Sequence, residues 1–310
     1  MEEPLLLSDI AALMRHAVMS ATYKPALLKA LVRVCRRSQD LQISLEALGD
    51  EFAKMYWNQV VTYHLRQAAS TTKEAEVIKL IRKTAEDYGV RFFADLPDRG
   101  RAQIKNQMAK ILTINVLDAF HTSKPKSMPD LFRWEKSSGC VVLSAEALAF
   151  IRTNDAALEL IANYYWAEFL EACNRLAPRV IQKVSRDFAK RRSLVQYLAI
   201  LSQEDDKGCF YCGRAFAVER RPAVDHVIPW SFLLEDPIWD LVLACAACNS
   251  AKSDWLPRTE FVDRLVKRNK RRALESLKGK ASLLFGADDV TRLYEAAISL
   301  EWPGFWGPAA

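Results

Sequence analysis

Cys209-Phe-Tyr-Cys212, Val224-Asp225-His226-Val-Ile228-Pro229 and Asp240-Leu-Val-Leu-Ala-Cys245-Ala-Ala-Cys248-Asn249 lie within about forty residues, and their reading decides the fold. Each C-x-x-C spacing lets two thiolates grip one metal from a tight knuckle. Two knuckles supply the four sulfurs of a closed tetrahedral zinc site. A redox dithiol would explain one pair, but not two pairs separated by 32 residues. A closed site keeps no position open for water or substrate. The zinc therefore folds the region, and the chemistry falls to what the knuckles hold together.

Between the knuckles, Val224–Ile228 reads as a short strand stopped by Pro229, and Leu241–Ala244 as a second strand. Asn249 follows the last cysteine, where it could cap a helix running through Lys252. Asp225 and Asn249 offer hard oxygen donors suited to Mg²⁺ or Mn²⁺. His226 can take a proton from water near neutral pH. The bland reading of Asp225-His226 is a structural histidine beside a surface carboxylate; the zinc frame favours catalysis. Cys35, Cys140 and Cys173 show no ligand spacing and read as small apolar residues.

Over about residues 207–270 these residues, in this order, resemble the HNH endonucleases, the ββα-metal nucleases, in the branch with a four-cysteine zinc site. The resemblance implies His226 as general base and Asp225 and Asn249 as ligands of one catalytic divalent metal. It also implies products with a 5′ phosphate and a 3′ hydroxyl. Lys252 lies where the family often has a basic residue near the phosphate; a solvated lysine is the other reading. Asp240 departs from the pattern, because the family has asparagine there, bracing the catalytic loop through its amide. An ionised aspartate accepts such bonds but donates none. That change would loosen the loop, or let Asp240 assist the metal. Tyr23-Lys24-Pro25 and Tyr56-Trp57 resemble openings of bacterial HNH proteins of restriction and phage defence, the nuclease component of type II Zorya defence among them.

The chain has 310 residues, half of them hydrophobic, enough for two domains with sizeable cores. No apolar run approaches the roughly 20 residues of a membrane span. An acidic N-terminus and paired, reduced thiols point to the cytoplasm. The net charge of +6 is unevenly spread. From Arg179 to Lys280 there are 20 Lys and Arg against 13 Asp and Glu. Lys183, Arg186, Lys190, Arg191 and Arg192 form one cluster; Arg264, Lys267, Arg268, Lys270, Arg271 and Arg272 form another. Isolated, each would be a solvated helix face. Bracketing this motif, they predict contact with a nucleic-acid backbone, carried by Lys190, Arg191, Arg192, Lys267, Arg268, Arg271 and Arg272.

The first two hundred residues read as helices, over about 45–68, 73–88, 101–120, 145–175 and 178–202, with a hairpin, Leu131–Glu135 and Cys140–Leu143, between them. The expected fold is mostly α with a small α+β C-terminal module: a helical N-terminal region followed by a zinc-stapled ββα-metal fold. The expected division is a helical domain over 1–125, a hairpin and helices packing on the nuclease over 126–205, the nuclease module over 206–280, and a helix with a Trp-rich cap over 281–310. The expected function is a DNA endonuclease with structural Zn²⁺ and catalytic Mg²⁺ or Mn²⁺, in phage defence or restriction. The alternatives are a zinc-stapled DNA-binding adaptor with weak or no catalysis, and a nuclease acting on RNA.

Overall fold

The computed structural model describes residues 4–17, 19–70, 74–185, 193–204, 208–216, 221–270 and 289–308. The chain forms two compact units: residues 1–175 with 180–188, and residues 176–179 with 189–310.

The first unit is helical: α1 (Leu7–Arg15), α2 (Tyr23–Arg37), α3 (Leu45–Trp57), α4 (Glu76–Tyr88), α5 (Asp98–Asn115), α6 (Ala145–Thr153), α7 (Asp155–Cys173) and α8 (Val180–Ser185). Helix α2 runs through its core, with Leu27, Leu28, Leu31, Val32 and Cys35 buried. Ser44 caps α3, its hydroxyl accepting from the Ala47 amide at 3.2 Å. The same helix passes directly into a π-helix, Asn58–Thr62. Gly49 lets α3 and α5 close: a Cβ there would stand 2.7 Å from the Lys105 carbonyl. The expected helix over 145–175 is divided at Asn154, whose side-chain amide donates back to the Phe150 carbonyl at 2.9 Å and closes α6.

The hairpin, β2 (Arg133–Glu135) and β3 (Cys140–Val142), gains a third strand, β1 (Gln42–Ser44), paired antiparallel to β3. That pairing ties the hairpin to the N-terminal helices, and α7 packs on α2. The hairpin, α6 and α7 therefore lie in the first unit, and not with the C-terminal module as expected from sequence.

In the second unit, β4 (Ala223–His226) pairs antiparallel with β5 (Leu241–Ala244), with Asp225 opposite Val242 and His226 opposite Leu241. Helix α9 (Leu198–Glu204) precedes them; α10 (Trp230–Leu233) lies between the strands in sequence, and α11 (Ala246–Lys252) follows. Then come β6 (Leu256–Pro257), α12 (Thr259–Asn269), α13 (Asp289–Ser299) and β7 (Gly304–Trp306). The tail folds back onto the unit: β7 pairs parallel with β6, and the Trp302 indole donates to the Asp254 carbonyl at 3.0 Å. Trp306 meets Tyr211 edge-on, with ring centroids 5.2 Å apart. No helix of the described residues is long and apolar enough to cross a membrane.

Candidate active site

The first knuckle turns at Gly213, whose φ of +70° suits glycine. The Gly213 amide donates to the Cys209 carbonyl and the Cys209 amide to the Arg214 carbonyl, both at 2.8 Å. The Phe210 amide donates to Leu243 of β5 at 2.9 Å, fastening the knuckle to the sheet. The second knuckle opens α11, with the Cys245 sulfur accepting from the Cys248 amide. The sulfurs of Cys209, Cys212, Cys245 and Cys248 all lie within 4.8 Å of one another, and Cys212 and Cys245 are 4.0 Å apart. Four sulfurs about 2.3 Å from one ion would be separated by roughly 3.8 Å, so the cluster fits zinc.

Asp225 is buried at the end of β4. Its Oδ2 accepts from the Tyr211 hydroxyl at 2.7 Å and lies 3.4 Å from the Lys252 Nζ. Its Oδ1 makes no hydrogen bond among the described residues and keeps acceptor capacity for a hard cation. Burial, then the negative charge of Asp225, holds the Tyr211 phenol well above its usual range, so it stays a donor. Sequence reasoning missed Tyr211, although it sits inside the first knuckle. Its link to Asp225 depends on the strand pairing that folds the knuckle over β4.

Lys252 is fully buried, and its Nζ also donates to the His226 carbonyl at 2.6 Å. It is not a solvated lysine. Its role is to pin α11 against β4. Asn249 does not cap α11; Cys245 does. Asn249 is half-buried one turn before Lys252, and this spacing puts the two on one helix face.

His226 is only 1% exposed. Its Nε2 lies 3.2 Å from the Glu235 carbonyl oxygen and 3.1 Å from the Asp236 Oδ1. A proton on Nε2 serves that carbonyl and leaves the lone pair on Nδ1, the tautomer a base needs. Asp236 adds negative charge beside the ring. Arg179 forms an ion pair with Glu235, holding the segment that covers the imidazole. Neither Asp236 nor Arg179 carried a sequence signal.

Asp240 is fully buried. Its Oδ1 accepts from the Ile228 amide at 2.8 Å, and its carbonyl accepts from the Val227 amide at 3.0 Å. Burial above all, with Asp225 nearby, raises its carboxyl well above the usual carboxylate range. The side chain thus braces the loop after His226.

The basic residues divide. Arg268 is buried, donating to the carbonyls of Leu241 at 2.5 Å and Trp239 at 3.1 Å, so it fastens α12 to β5 and is not a backbone contact. Lys183, counted in the first cluster, is buried in the first unit. Arg264 stacks on Phe210 and Phe261. Lys267 and Lys270 are exposed. Arg186, Lys190, Arg191, Arg192, Arg271 and Arg272 lie outside the described residues.

Residues 209–254 match the family model of the HNH endonucleases. The match spans both knuckles, β4, β5 and α11, so the HNH domain and the cysteine cluster coincide. It covers a minor part of the chain. No curated protein and no solved structure matches. The Zorya attribution finds no support in these comparisons.

Proposed function

We propose that the chain is a divalent-metal-dependent endonuclease acting on DNA, with His226 as its general base. The observation that carries this reading is a buried histidine inside an HNH domain whose Nε2 lies against the Glu235 carbonyl; a proton held there would leave the Nδ1 lone pair to serve as base. Nδ1 takes a proton from water; the resulting hydroxide attacks phosphorus, the bond to the 3′ oxygen breaks, and the departing oxygen takes a proton from solvent to give the 3′ hydroxyl. Asp225 and Asn249 are the hard donors that would hold Mg²⁺ or Mn²⁺, which would neutralise charge on the phosphate and the leaving oxygen. Tyr211 and Lys252 fix Asp225, and Asp240 fixes the loop beyond the histidine. The four cysteines hold structural zinc. Exposed Lys267 and Lys270 supply part of the positive surface for the backbone.

Supercoiled plasmid incubated with Mg²⁺, Mn²⁺ or neither tests this. Open circle should form only with added metal, and His226→Ala should abolish it while zinc content stays unchanged. Wild-type cutting by that variant would end the general-base assignment. The near-complete enclosure of His226 favours a second reading, a DNA-binding adaptor without cleavage. Metal-independent DNA binding with no nicking under any condition would select it. Structured RNA in a parallel digestion decides between the two nucleic acids.

A further inference from the structure

The first unit contains a cavity of about 670 Å³ that the nuclease chemistry does not use. Pockets for small ligands span about 300–1,000 Å³. Arg33, Arg36 and Arg37 line it from one face of α2, at spacings of three and four. Lys54 of α3 and Arg101 of α5 add two more cations; among the described residues the lining carboxylates are Glu51 and Glu159.

Those carboxylates are shared too widely to neutralise the cluster. Glu51 lies 2.6 Å from Arg37, 3.6 Å from Lys54 and 3.9 Å from Arg33. Glu159 lies 2.8 Å from Arg33, 2.9 Å from Arg36 and 4.0 Å from Lys29. Asp155 and Asp50 pair with Arg36 and Lys54 from outside the lining. Among the described residues Arg101 has no carboxylate partner; its guanidinium donates to the Leu96 and Ala94 carbonyls. Burial grades the cluster. Glu51 and Arg33 form a floor, their side chains 3% and 10% exposed, while Arg36, Lys54 and Arg37 form a rim at 43%, 45% and 59%. The rim side chains reach solvent, where an incoming anion can meet them.

Two further features point to more than a bare anion. Phe93 gives the wall an aromatic face, and the buried amide of Asn58 also belongs to the lining. Asn58 also begins the π-helix, a rare conformation often found at functional sites. We propose that this cavity binds a nucleoside polyphosphate, its phosphates on the rim of Arg36, Arg37 and Lys54 and its base toward Phe93 and Asn58. Planar guanidinium groups suit phosphate oxygens in pairs. The proposal is independent of the nuclease reading.

Calorimetric titration of the full chain, without added divalent metal, tests it with ATP, tripolyphosphate, adenosine and a 5′-phosphorylated single-stranded trinucleotide. ATP should bind saturably at one site per chain, more tightly than tripolyphosphate, and adenosine should not bind. Arg36→Ala/Arg37→Ala should weaken ATP and tripolyphosphate about tenfold or more. Lys54→Gln, at an exposed rim position, should weaken both as well and guards against misfolding of the double variant. No saturable binding of ATP or tripolyphosphate overturns the proposal. So does binding unchanged in both variants, or binding by the trinucleotide alone, which would reassign the cavity to a strand end.

Discussion

At Asp240 the distance that matters is 2.8 Å, from its Oδ1 to the Ile228 amide. Asparagine would accept the same bond through its amide oxygen, and burial already disfavours the charged form of the carboxyl. Asp240→Asn should therefore leave plasmid nicking within about threefold of wild type. Asp240→Ala leaves a buried N–H unsatisfied and should cost about 1–3 kcal/mol in urea unfolding, with lower cleavage. Lys252→Met removes the cation beside buried Asp225; it should destabilise the HNH domain by about 3–5 kcal/mol and abolish nicking. Unaltered urea midpoints would mean that the contact is not stabilising. The sequence marks both residues but leaves Lys252 open between a phosphate contact and a solvated side chain, because a lysine's position in a motif does not disclose whether its ammonium faces solvent or a carbonyl. Arg268 and Lys183 were misjudged for the same reason. Asp236 and Arg179 were illegible for another: they reach His226 only through the path of the chain around it.

At the scale of elements, the zinc module was the most legible part, because ligand chemistry fixes spacing: C-x-x-C must form a knuckle, and the strand before Cys245 must reach it. Cys245→Ser should lose the zinc, measured by metal analysis, and unfold the module, seen as lost near-UV signal from Trp239, Trp302 and Trp306. Retention of zinc and fold would show that three sulfurs suffice. The helical elements were legible as apolar periodicity, but not their partners. Nothing local told that β3 pairs with β1 across a hundred residues, and so the hairpin was grouped with the wrong unit. Nor did sequence show why Gly49 is a glycine. Gly49→Ala should cost about 1–3 kcal/mol by forcing α3 from α5.

At the scale of the molecule, pH acts on the first unit through Lys183. Burial lowers its ammonium from 10.5 to about 7. The unfolded chain then binds the extra proton between these values, so stability should rise as pH increases from about 7 to 10.5, and the full penalty applies below 7. Lys183→Met should flatten that slope in thermal melts across this range. The order of the units along the chain has a practical corollary. Residues 176–179 belong to the second unit, 180–188 return to the first, and 189 onward rejoin the second. A recombinant nuclease fragment begun at 189 would look complete by its HNH motif, yet it would lack Arg179, the partner of Glu235 above His226. Its activity, raised or lost, would report on a truncated site, and so the boundary for dissecting this protein cannot be drawn as a single cut.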